Sequence, residues 1–125
     1  IAIAGTHGKT TTTSMVSQIL LADEADPTIS VGGILDAIGG NIRVGKSDLF
    51  VTEACEYTNS FLNFRPKYSL ILNIEEDHLD FYKNGMDDII KVFNQAITQS
   101  KKIIVNADDN GIKNLNDIKG CAHNG

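Results

Sequence analysis

The chain has 125 residues, 42% of them hydrophobic and 22% charged, with 16 acidic against 11 basic side chains and a formal charge of −5. That length suits one domain with a single core, and the acidic balance gives no electrostatic footprint for nucleic acid or an anionic membrane. No apolar run approaches the roughly 18 residues of a membrane-spanning helix, and Cys55 and Cys121 stand far apart in no metal-ligand or redox spacing, as reduced thiols of a cytoplasmic protein would.

Ile1 to Ala4 is a short apolar run of the kind buried in a parallel sheet. It enters Gly5-Thr6-His7-Gly8-Lys9-Thr10 and leaves through Thr11-Thr12-Thr13 into a helix expected to reach about Ala22. Met15, Val16, Ile19 and Leu20 are expected on that helix's apolar face. Glycines let backbone N–H groups converge on an anion, and a helix N-terminus adds partial positive charge. Lys9 suits the terminal phosphates of a nucleotide, and the Thr10 hydroxyl suits the accompanying magnesium. Gly5 and Gly8 enclose only Thr6 and His7, whereas the common phosphate loop has four residues there. The plainer alternative is a glycine turn that starts a helix and leaves Lys9 in solvent.

Asp26-Pro27 ends the connection, and Thr28 to Val31 reads as a second strand. It is followed by Gly32-Gly33, where the chain can turn tightly or approach a ligand. Ile42-Arg43-Val44 reads as a small strand with turns on both sides. Leu49 to Thr52 is a buried strand ending on Glu53, a hard oxygen ligand suited to magnesium. An acid at a strand end can equally lie in solvent. Glu56 is close enough in sequence to reach the same site, and an ion pair between Lys9 and Glu53 is a second possibility.

Residues 58–64 suggest a helical turn, and Tyr68 to Leu72 another buried strand. That strand ends at Asn73 and runs into Ile74-Glu75-Glu76-Asp77-His78. A second helix is expected from Met86 to Ser100, with Ile89, Ile90, Phe93 and Ile97 as its apolar stripe. Asp87 and Asp88 sit at its positive end. Ile103 to Val105 is the last clear strand, and Asp108-Asp109-Asn110-Gly111 reads as a turn with helix capping. Cys55 lacks any local signature of a nucleophile.

Buried strands alternating with helices imply a mostly parallel sheet covered on both faces, with ligands at the carboxyl ends of its strands. Three strands end on chemistry there: at Gly5 to Thr10, at Glu53, and at Asn73 through His78. The N-terminal start inside a core strand reads as a domain cut from a longer protein.

The ordered motifs GTHGKTTTT, EACEYTNSF and LNIEEDHLDFY resemble the central, ATP-binding domain of the Mur ligases. The histidine inside the loop favours the branch that joins L-alanine to UDP-N-acetylmuramate. The resemblance implies an α/β fold, a three-layer doubly wound mostly parallel sheet with a P-loop. Residues 1–125 would form one partial ATP-binding domain of a three-domain cytoplasmic ligase, whose UDP-binding and C-terminal domains are absent from this sequence. In such ligases ATP phosphorylates the substrate carboxylate, and the incoming amine attacks the acyl phosphate. Gly5, Thr6, His7, Gly8, Lys9, Thr10 and Thr11 would hold ATP. Thr10, Glu53 and His78 would hold Mg2+, and Lys9, Glu53 and His78 would be catalytic. The family commonly has EADES where this chain has Glu53-Ala54-Cys55-Glu56-Tyr57. The alternatives are a related Mur ligase or folylpolyglutamate-type synthase, or a P-loop domain without ligase activity.

Overall fold

The structure is a computed structural model, and it describes residues 1–56, 61–77, 80–116 and 118. Six strands form one sheet: β1 (Ala2–Ala4), β2 (Thr28–Leu35), β3 (Gly40–Arg43), β4 (Phe50–Glu53), β5 (Tyr68–Ile71) and β6 (Lys102–Val105). Their spatial order is β3-β2-β4-β1-β5-β6. Every pairing is parallel except that of β2 with β3. The expected α/β sheet is therefore present, with an antiparallel hairpin at one edge.

Strand alternation sorts the side chains between two helices, α1 (Lys9–Ala22) and α2 (Met86–Thr98). On one face, Ala2 and Ala4 of β1 and Ile71 of β5 pack with Ile89, Phe93 and Ile97 of α2. Those α2 residues recur at every fourth position, so they form the expected stripe, with Ile90 half-buried beside it. Phe93 is fully buried and meets Phe61 with ring centroids 5.4 Å apart. Aspartates open this helix, as its dipole favours. Asp88 accepts the Asn84 backbone N–H at 3.0 Å, and that bond, with the Asn84 side-chain amide, holds its carboxyl below the ordinary carboxylate range.

On the other face α1 lies against β1, β2 and β4, and here the expected apolar stripe is corrected. The fully buried side chains of α1 are Thr13 and Ser17, while Met15 and Ile19 are 54% and 67% exposed. Val16 and Leu20 are half-buried. The loop that precedes α1 dictates how the helix meets the sheet, and small hydroxyl side chains occupy the contact over Ile3, Ile29 and Val51, all with no exposure.

Strand β2 runs on through Gly32-Gly33 to Leu35, longer than expected and without a turn at the glycines. Gly39, at φ 67°, makes the turn into β3. Arg43 clamps this hairpin, donating to Asp26 Oδ1 and to the Pro27 carbonyl, each at 2.6 Å. Beyond β6, Asp109 Oδ1 accepts the backbone N–H groups of Ile74 (3.2 Å) and Ile112 (2.8 Å), so this acid caps a turn as expected. Residues 58–60 of the expected helical turn lie outside the described residues.

Two outcomes follow from this packing. Phe93→Ala should lower unfolding free energy by about 3–5 kcal/mol in urea titrations, the usual loss for a buried phenylalanine. The Arg43 hydrogen bond, helped by the Lys46 backbone N–H, holds the Asp26 carboxyl below its ordinary value. A depressed acid stabilises the fold above its unfolded value, near pH 4, and that contribution disappears as pH falls through the folded value. Asp26→Asn should accordingly flatten the acid limb of a thermal stability profile below about pH 4, while a limb identical to the parent would show the clamp to be inert.

Candidate functional site

Strands β1, β4 and β5 lie side by side, so the segments that follow them meet at one edge of the sheet. The loop after β1 turns at Gly5 (φ 142°) and again at Gly8 (φ 84°), the residue before α1. A side chain at Gly5 would also press on Leu72 and on the Asn73 backbone at 3.1–3.3 Å. The first bond of the helix runs from Thr12 N–H to the Gly8 carbonyl at 3.0 Å. The N–H groups of Lys9, Thr10 and Thr11 therefore precede the helical ladder. No side chain caps Gly8 and no acid occupies the first turn, so the positive end of the dipole is left for an external anion.

Asn73, just past β5, holds this loop. Its backbone carbonyl accepts Thr6 N–H at 3.1 Å. Its carboxamide spans His7, accepting the His7 N–H at 2.8 Å and donating to the His7 carbonyl at 3.0 Å. Two residues on, the Glu75 N–H donates to the Thr6 hydroxyl at 2.9 Å. The Glu75 carboxylate lies 3.3 Å from the exposed His7 imidazole. Asn73, at the head of the LNIEEDHLDFY motif, is thus the brace of the loop between β1 and α1.

Lys9 is not in solvent. Its ammonium turns under the loop to the carbonyls of Gly5 (2.6 Å) and Thr6 (3.3 Å). The acid that pairs with it is Glu56, with Oε2 at 3.2 Å, and not Glu53. Glu56 has only 4% of its side chain exposed, and the buried Tyr82 hydroxyl donates to its backbone carbonyl. Burial first, then the nearby Glu56 carboxylate, pushes the Tyr82 hydroxyl up to about 12. Tyr82 carried no signal in the sequence beyond its place in DFY, because its partner is distant in the chain.

Glu53 instead meets β2. Its Oε1 accepts the Gly32 N–H at 2.6 Å, and a Cβ at Gly32 would stand 2.7 Å from Oε2. A Cβ at Gly33 would lie 3.2 Å from the Thr10 methyl group. The two glycines thus serve close approach, bringing the Thr10 side chain and the Glu53 carboxylate to the same short stretch of β2. Hydroxyl and carboxylate oxygens are hard donors that fit Mg2+, which takes one or two protein oxygens and completes its shell with phosphate and water. Among the described residues no group of three His, Cys, Asp or Glu side chains stands together as a metal site. His78 lies outside the described residues, as do Tyr57 and Cys121. Cys55 is exposed.

Residues 3–124 match the family model described as the Mur ligase middle domain. The chain is a Mur ligase middle domain. Over 87 residues it is 74% identical to the UDP-N-acetylmuramate–L-alanine ligase of Agathobacter rectalis, a span covering 70% of this chain and 19% of that protein. The ligase of the same description from Clostridium acetobutylicum is 55% identical over 124 residues, 97% of this chain and 27% of that protein. The crystal structure of UDP-N-acetylmuramate–alanine ligase from Thermotoga maritima superimposes with a TM-score of 0.84 at 34% identity, over 94% of this chain and 27% of that one. The middle domain thus spans about a quarter of the length of the relatives it matches.

The Tyr82 contact predicts an alkaline signature. Because its hydroxyl is raised, it stabilises the fold below the unfolded value near 10 and loses that contribution as pH rises toward 12. Ultraviolet titration should show a tyrosinate forming above the ordinary tyrosine value near 10, absent in Tyr82→Phe. That variant should also lose about 1 kcal/mol of stability at neutral pH, the net worth of one hydrogen bond.

Proposed function

We propose that this domain binds ATP and Mg2+ within a longer cytoplasmic enzyme that joins L-alanine to UDP-N-acetylmuramate in peptidoglycan precursor synthesis. The observation that carries the reading is the pairing of an uncapped helix N-terminus, with Lys9 beneath its loop, and Glu53 reaching the same strand as Thr10. Relatives 52–74% identical to this chain that bear that ligase description support the choice of substrates.

The backbone of Gly5 through Thr11 is the ATP cradle in this reading. Lys9 neutralises charge on the terminal phosphates, while Thr10 and Glu53 supply oxygens to the metal. When bound, ATP supplies the phosphoryl group and Mg2+ offsets the charge that develops on it. The chain itself does little covalent chemistry. Its task is to hold anionic oxygens in line with the acceptor carboxylate of the sugar nucleotide, which an acidic protein does only with local positive charge. His78 belongs to the same proposal as a metal ligand near the acceptor, on the strength of its motif. Flanking UDP-binding and C-terminal domains of the same chain complete the site and enclose it.

The full-length protein should release phosphate only when ATP, UDP-N-acetylmuramate and L-alanine are all supplied. Release that ignored the sugar nucleotide would sink the substrate assignment. Lys9→Ala and Glu53→Ala should each lower kcat by about 10²–10³ or more, as removal of one transition-state contact does, and normal kcat in either variant would contradict its role.

A further inference from the structure

Lys9 has three N–H bonds to offer and three acceptors around it: the Gly5 carbonyl at 2.6 Å, the Thr6 carbonyl at 3.3 Å, and Glu56 at 3.2 and 3.4 Å from its two oxygens. Two of these are the loop's own backbone. The third is a carboxylate from the segment that follows β4, and it is as buried as the hydrophobic core. A buried carboxylate beside a loop built for polyphosphate opposes the ligand by its charge. Its stem is also fixed, because the Tyr82 hydroxyl bonds the Glu56 carbonyl and Tyr82 is itself 3% exposed. Glu53, by contrast, directs an oxygen to the Gly32 N–H and leaves Lys9 alone. The two acids of the EACEY segment therefore face different partners.

We infer that Glu56 is a positioning residue that competes with the nucleotide for the Lys9 ammonium, while Glu53 serves the metal. The inference rests on the nucleotide reading of the loop. Glu56 draws Lys9 beneath the loop, and an incoming phosphate must win the ammonium from it. The contest weakens binding of ATP and of the product ADP alike. Tyr82 keeps the competing carboxylate within reach by anchoring its backbone.

The test is calorimetric titration of the full-length protein with ATP and with ADP, each in Mg2+ and in excess chelator. Glu56→Gln keeps the shape and removes the charge, so it should bind both nucleotides about tenfold more tightly with or without Mg2+. Glu53→Gln should bind more weakly in Mg2+ and match the parent in chelator. Tighter binding is a result that damage to the fold cannot produce. If Glu56→Gln does not fold, Glu56→Asp decides, because it withdraws the charge by one methylene and should give a smaller gain of the same sign. Affinity equal to the parent in both conditions overturns the inference, and so does a loss confined to Mg2+, which would make Glu56 a metal-site residue. A parent protein that binds neither nucleotide overturns the reading of the loop itself, and this inference with it.

Discussion

The site depends on a hydrogen-bonded ladder that outlasts its strands. Between β1 and β5 the regular bonds end where Leu72 N–H meets the Ala4 carbonyl, and Gly5 then turns the chain away. The ladder nonetheless continues, first through Thr6 N–H to the Asn73 carbonyl and then through the Asn73 carboxamide, which takes both polar groups of His7. An asparagine side chain here does the work of one more residue of strand. It satisfies backbone groups that a free loop would give to water, and it fixes where the next N–H groups point. The direction of the α1 N-terminus follows from that geometry.

Upon this frame the charges are divided. An acidic domain with one lysine in its loop confronts two neighbouring carboxylates, and free competition between them would leave the site without direction. Strand alternation and the turn after β4 separate them. Glu53 shares a register with Ile3 and faces the α1 side, where Gly32 admits it closely. Glu56 follows buried Ala54 and is tied from behind by Tyr82. The absence of a Cβ at Gly32 is thus as much part of the acid's placement as the strand that carries it.

Features set by local pattern were legible in the sequence. The glycine loop, the acid at the end of β4 and the stripe of α2 each depend on residues a few positions apart, and each stands where the pattern put it. Features decided by distant partners were not. Whether Lys9 meets Glu53 or Glu56 depends on which way Glu53 leaves β4 and where the following segment carries Glu56, and Tyr82 becomes informative only once it lies against Glu56. The packing face of α1 departs from its apolar periodicity for a related reason: periodicity assumes that a helix rolls its greasiest side inward. Here the loop's anchorage sets the roll, and Thr13 and Ser17 face the sheet instead.

The strand order has a kinetic meaning. β1 is central, yet it precedes both of its neighbours, with Ala2 paired to Thr52 on one side and to Ser69 on the other. Neither pairing is local, and both require large loops to close before any bond is gained. The loop after β1 precedes β5 in the chain and has nothing to lean on until β5 and Asn73 have arrived. Its braced shape is therefore acquired late, once the central strands of the sheet have paired.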